Sequence, residues 1–278
     1  VSRLSKLFVG VAFFAASLTA AAQEPPAAPA DSGELTLMVE PSYAPARLAE
    51  VFEPLANYIG NATGRKVRLV TPRNYHFYWR DVRQNTPVDL MYSEAHFTDY
   101  RAQRYGTIPL VRTAEKLSYS ILASDLIENP DVATLVGKRL VTMPSPSMGF
   151  ALLAQLYPNP VSQPEILSAS ISWRDGVEMV FADEAEAAIV PTWLKDEYPN
   201  LIPVWQSQDF MGPAISASPD LDPELRERIR EALLSIHEDP AANEVLLELR
   251  ISRFEPATAA EYDGADRMLR EFHGFQPR

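Results

Sequence analysis

The spacing of apolar residues along the chain switches repeatedly between two periods, and the switches outline a fold. "ELTLMVEP" (Glu34–Pro41) alternates apolar and polar positions and reads as a strand. In "ARLAEVFEPLANYIGNATG", Leu48, Val51, Phe52, Leu55 and Ile59 share one helical face, and Gly60 and Gly64 end it. "KVRLVTP" returns to strand, "FYWRDVRQNT" is a short amphipathic helix, and "VDLMYSE" is a third strand whose apolar run reaches Tyr92. This β-α-β-α-β order argues for a parallel sheet with helices on both faces. The pattern continues with the helix "TDYRAQRYG", the strands "TIPLVRT" and "LSYSILAS", and the strand "GKRLVTM" leading into a helix over Met148–Tyr157. "EAAIVP", "LIPVWQS" and "GPAISAS" follow as strands. "PELRERIREALLSIH" and "AANEVLLELR" close the chain as helices.

Two α/β halves joined by extended segments predict an α/β protein of two lobes, each a mostly parallel sheet flanked by helices, with a cleft between them. The expected division is residues 34–118 in lobe 1, 119–211 in lobe 2 and 212–278 back in lobe 1, with two crossings. Ligands of open α/β sheets sit beyond the carboxyl ends of strands. Three such ends carry hydroxyls: the Pro41–Tyr43 turn, Tyr92–Ser93, and "VTMPSPSMGFALLAQLY" (Val141–Tyr157) with Ser145 and Ser147. The last turn has two readings. The free N–H groups and positive dipole end of the helix favour an oxyanion, with the serines adding donors. Alternatively, Ser145 or Ser147 simply caps the helix. Tyr, Tyr and Ser together at three strand ends are more than capping requires, which favours a ligand site.

The N-terminus adds a destination. Arg3 and Lys6 precede the apolar run "LFVGVAFFAASLTAAA", and Ala20 and Ala22 form an A-x-A site, the layout of a cleavable signal over residues 1–22. No cysteine follows, so a lipid-anchored form is excluded, and the product is expected to be exported to the periplasm. "QEPPAAPADSG" (residues 23–33) reads as an extended linker. Cleavage removes two positive charges and takes the formal net charge from −12 to −14. So acidic a chain excludes nucleic acid as a partner, which needs clustered Lys and Arg.

Little else suggests chemistry. The 278 residues include no cysteine, and His76, His96, His237 and His273 lack metal-ligand spacing. Nucleophile elbows and Gly-rich phosphate loops are absent, and Asp183, Glu184 and Glu186 stand near no nucleophile. The reading is of a binding protein, not an enzyme, with no cofactor and no metal.

The ordered motifs carry a resemblance over about Leu35–Leu249. Pro41-Ser42-Tyr43-Ala44-Pro45 after the first strand, "LAEVFEPLANYIGNATGRKVRL", "PVDLMYSEAHF", "LVGKRLVTMPSPSMGFALLAQLY", "ADEAEAAIVP" and "VWQSQDFMGPAIS" follow one another in a familiar order. Together they resemble the periplasmic substrate-binding proteins of phosphate, phosphite and phosphonate ABC transporters. That resemblance implies the type II periplasmic-binding-protein fold, a monomer, a small oxyanion-type ligand and a membrane permease as partner. A sensing module of the same fold, coupled to a membrane sensor, is the alternative. Carried over position by position, the resemblance implies a ligand site of Tyr43, Tyr92, Ser145, Ser147, Glu186 and Ser207.

The chain also departs from that pattern. The family's Ser-Thr-Ser helix start is Pro146-Ser147-Met148 here, and its Gly-Pro turn is Ser93-Glu94. Each missing charge-assisted hydrogen bond to a phosphonate costs about 1.5–3 kcal/mol. Arg73, His76, Arg101 or Arg174 are candidates to replace the lost donors. A ligand less charged than a phosphonate, or one bringing an amine to Glu94 or Glu186, fits these changes better.

Overall fold

The computed structural model describes residues 33–276. The expected signal segment and nearly all of the linker lie outside the described residues. Among the described residues, no helix is long and apolar enough to cross a membrane.

The first sheet has the order β11-β4-β10-β3-β1-β2. It comprises β1 (Glu34–Val39), β2 (Lys66–Val70), β3 (Leu90–Ser93), β4 (Ile108–Thr113), β10 (Ala214–Ala217) and β11 (Phe254–Pro256). The second, in the order β7-β6-β8-β5-β9, comprises β5 (Tyr119–Ala123), β6 (Arg139–Val141), β7 (Glu165–Leu167), β8 (Ala187–Pro191) and β9 (Ile202–Gln206). The two-lobed α/β architecture is as expected, but both sheets are mixed. β1 to β4 run one way, with β10 and β11 against them. In the second sheet β5 runs against β8 and β9. The reason is topological: β5 and β10 are the strands by which the chain enters a sheet from the other one.

Those entries are the two crossings, β4 to β5 and β9 to β10. They run side by side, with Leu117 and Phe210 exchanging backbone hydrogen bonds of 3.1 and 2.8 Å. Gly212 lies in the second crossing, where a Cβ would stand 2.1 Å from Thr113 Oγ1, so only glycine fits beside β4.

Strand alternation sorts the core. Leu35, Leu37 and Val39 of β1 face the helices α1 (Pro45–Thr63), α6 (Pro223–Ser235) and α7 (Asn243–Leu249). Met38 faces the opposite way, into a core that includes Tyr75 and Tyr78 of α2 (Tyr75–Arg83) and Phe97 of α3 (Ala95–Tyr105). That same core continues into the second lobe through Tyr119, Ile121, Val141, Trp173 and Ile189. The lobes therefore share a continuous apolar contact.

Candidate functional site

The site grows from the carboxyl ends of β1 and β3. These strands are parallel neighbours with Val39 opposite Tyr92, so the residues just beyond them, Glu40 and Glu94, meet. The Glu94 backbone N–H donates to Glu40 Oε1, and the Tyr75 hydroxyl donates to Glu40 Oε2 at 3.2 Å. Tyr119, from the other lobe, donates its hydroxyl to Glu94 Oε1 at 2.7 Å. The second Glu94 oxygen is buried and accepts no hydrogen bond. Nearest to it among basic groups is His96 Nδ1 at 3.9 Å, itself without a hydrogen-bond partner. Glu40 and Glu94 are only 3% and 8% exposed, and His96 is fully buried.

Burial dominates their protonation. It raises the Glu40 carboxyl well above its ordinary range, and the negative charge of Glu94 raises it further. Burial lifts Glu94 to about 7, against the Tyr119 hydrogen bond that favours its charged form. His96 is pushed down to about 3 by burial, so it is a neutral imidazole beside the pair. Among the described residues, neither carboxylate has a protein cation against it.

Above this pair opens a chamber of about 350 Å³, lined by Glu40, Glu94, Tyr43, Tyr92, Trp173 and Trp193, among others. It shares Ser42, Tyr43, Trp173, Trp193 and Arg250 with an outer hollow of about 440 Å³. Lobe 1 contributes Tyr43 and Tyr92, both set edge-on against Phe52 with ring centroids 6.3 and 5.1 Å away. Lobe 2 contributes Trp173, the first residue of α5 (Trp173–Phe181), whose ring packs edge-on against Tyr119 at 5.3 Å. Trp193 follows β8, and the Arg250 guanidinium lies over its ring at 4.3 Å. Arg250 and Arg174 both bind Glu197, each at 2.6 Å, and Arg47 pairs with Glu50 and Glu248. The guanidiniums at the mouth are thus already matched by carboxylates.

Of the six residues expected at the site, the structure brings Tyr43 and Tyr92 together. The other four lie elsewhere, each for a local reason. Ser147 is the N-cap of α4 (Met148–Leu156): its fully buried hydroxyl accepts from Phe150 N at 3.3 Å and donates to Met143 O at 3.0 Å. Ser145 is half-buried in the same turn and does not line the chamber. Glu186 stands before β8, at the amino end of the strand, where Arg139 grips it with contacts of 2.7–3.3 Å. Ser207 sits in the second crossing, accepting from Tyr119 N at 2.9 Å and donating to Gln208 O at 2.7 Å. Among the replacement donors, Arg73 and His76 are exposed and outside the chamber, Arg174 is in the outer hollow, and Arg101 lines a separate cavity.

Glu40, Trp173, Trp193 and Arg250 were not expected. For Glu40 a signal existed: it continues the Met38 side of the β1 alternation, so it had to face the inter-lobe core. The two tryptophans follow a helix cap and a strand end respectively, and nothing in their spacing marked them as cleft residues.

The comparisons agree with this architecture. The family model for the periplasmic substrate-binding protein of phosphonate ABC transporters matches residues 37–262, and the chain belongs to that family. PhnD1 from Prochlorococcus marinus (MIT 9301), solved in complex with methylphosphonate, superposes with a TM-score of 0.76 at 12% identity, covering 87% of this chain and 99% of that one. A binding-protein component of an ABC phosphonate transporter from Pseudomonas aeruginosa gives 0.69 at 15% identity, over 82% and 83% of the two chains. An ancestral arginine-binding protein bound to arginine gives 0.56 at 13%, over 78% and 97%. No curated protein sequence matches the chain. At these identities the structural likenesses establish the type II periplasmic-binding-protein fold. The family is one of exported binding proteins, not enzymes, that serve a membrane transporter.

Proposed function

We propose that this protein is a monomeric periplasmic receptor that encloses one small solute in the inter-lobe chamber and hands it to an ABC permease. The observation that carries this is the chamber itself. Its walls come from both lobes, so occupancy and the relative placement of the lobes are coupled through two adjacent crossings. Tyr43 and Tyr92 belong to the ligand-facing wall. Ser147, Ser145, Glu186 and Ser207 serve as cap, turn, ion pair and crossing support. With the α4 start closed by its own hydroxyl and Pro146 without an N–H, an oxyanion at that turn has few donors left.

A thermal-shift screen of the protein against small anionic, cationic and zwitterionic solutes tests the receptor reading. A ligand of the folded state raises the melting temperature with the logarithm of its concentration over Kd. Ser42→Trp, which fills the space shared by chamber and outer hollow, is expected to abolish that shift. A shift that survives Ser42→Trp places the ligand elsewhere and overturns the proposal.

A further inference from the structure

We propose that the chamber takes an organic cation, an ammonium-bearing solute whose nitrogen sits against Glu94 and Glu40 and whose body lies between the rings of Tyr43, Tyr92, Trp173 and Trp193. This rests on the receptor reading above and names the class of its ligand.

Three independent features of the chamber converge on that class. The first is charge. Two carboxyls meet at the floor with no Lys, Arg or protonated His against either, and removing an ion from water without a partner is expensive. The second is an open valence. Glu94 lines the chamber, is more than nine-tenths buried, and has one enclosed oxygen that accepts no hydrogen bond among the described residues. Its first oxygen is fixed by Tyr119 and its backbone N–H by Glu40, so the carboxyl is held in place rather than free to turn toward solvent. The third is the wall. Aromatic faces attract cations through their quadrupole, and Tyr43, Tyr92 and Trp173 line the chamber together with the carboxyls, while Trp193 lines it with Arg250 already over its ring.

The same features disfavour the oxyanion that the family pattern suggests. A phosphonate in this chamber would meet Glu40 and Glu94 at its floor. The guanidiniums it could reach, Arg250 and Arg174, are committed to Glu197. Lys116 and Glu115 line the chamber as one charge of each sign.

Proton linkage gives the proposal a second readout. The groups that face the pair are Tyr75, Tyr78, Tyr92, Tyr119 and neutral His96, with Lys116, Glu115 and Arg250 elsewhere in the chamber lining. Without a cation, burial holds the proton on Glu94 up to about pH 7 and raises Glu40 well above its ordinary range. A bound ammonium replaces those protons, so its apparent affinity rises from pH 5 to pH 8, and calorimetry in buffers of different ionisation enthalpy records proton release.

The experiment titrates the full chain with choline, ethanolamine and putrescine, against methylphosphonate, phosphate and acetate, following tryptophan fluorescence and melting temperature. At least one amine is expected to bind and the anions are not. Glu94→Gln, which keeps shape and removes charge, is expected to weaken the amine by about tenfold to a hundredfold, the loss of one charge-assisted hydrogen bond. Trp193→Phe is expected to weaken it less and to leave its pH dependence intact. Binding of methylphosphonate or phosphate without any amine overturns the cation and leaves the receptor reading standing. Amine binding unchanged in Glu94→Gln, or flat from pH 5 to pH 8, also overturns it. A protein that binds neither set fails both readings.

Discussion

At the end of β6 the chain enters α4 through Ser145, Pro146 and Ser147; at the end of β3 it enters α3 through Ser93 and Glu94. The two turns touch, His96 Nε2 lying 3.3 Å from the Pro146 carbonyl oxygen. One carries two hydroxyls, of which that of Ser147 is spent within its own turn. The other carries a carboxylate, acceptor-only when ionised, and leaves one of its oxygens unmatched in a fully enclosed place. The number of polar groups at a helix start therefore says little about a site. What matters is which of them the local backbone has already used.

Trp173 ties the two turns together, and its removal is expected to have the largest effect. Its ring packs on Tyr119, which holds Glu94, and stands 3.0 Å from where a Cβ on Gly149 of α4 would be. It is 5% exposed. Trp173→Ala should cost about 3–5 kcal/mol in urea unfolding, the range for deleting a buried aromatic. A loss below about 1 kcal/mol would show that the turns are packed independently.

The pH dependence of stability separates the two sides of their contact. Burial raises Glu94 to about 7, so between the ordinary 4.5 and about 7 the folded state holds a proton the unfolded state has lost, and stability falls as pH rises. Burial lowers His96 to about 3, so between about 3 and the ordinary 6.5 the unfolded state binds the extra proton, and stability rises with pH. From 4.5 to 6.5 these two slopes oppose, and Glu40, also raised by burial, adds to the falling one. Glu94→Gln combined with Glu40→Gln should expose the histidine slope, with stability rising across this window by up to about 1.4 kcal/mol per pH unit. His96→Phe should expose the opposite slope, deepened by Glu40. Equal slopes in the two variants would break the assignment.

Ser147→Ala probes the other turn. It removes a cap and should cost about 1 kcal/mol, while ligand affinity stays within twofold. A tenfold loss of affinity with unchanged stability would return the turn to the site.

Much of the fold is legible in the sequence because it rests on periodicity, which burial enforces. The alternation of Leu35, Leu37 and Val39 and the helical face of Leu48 to Ile59 reappear as one packed layer. Boundaries shifted where a cap decided them: α2 begins at Tyr75, not Phe77, because the Asn74 side chain accepts from His76 N and Phe77 N. The short edge strands β7 and β11 leave almost no pattern. The candidate chamber was half legible. Tyr43 and Tyr92 follow from strand ends, but Glu40 needed the parity of β1 carried one residue past the strand. Trp173 and Trp193 reach the chamber through the way two sheets face each other, which no local spacing records.

The smallest expected effect is at Glu186, the acid that sequence reasoning placed in the site and the structure places at the amino end of β8. Its partner Arg139 holds its carboxyl below the ordinary range, so this contribution to stability is present above pH 4.5 and lost as pH falls below it. The pair is partly exposed, with the Arg139 side chain 40% accessible, and water screens it. Exposed pairs contribute about 0.2–1 kcal/mol, and Glu186→Gln should fall within that range in urea unfolding. Ligand affinity should not change, because ligands of open α/β sheets gather at carboxyl ends, and Glu186 precedes its strand. Loss of affinity by tenfold in Glu186→Gln would mean that the ligand reaches the amino end of β8 in the middle of the second sheet, and the chamber between Glu94 and Trp193 would no longer account for binding.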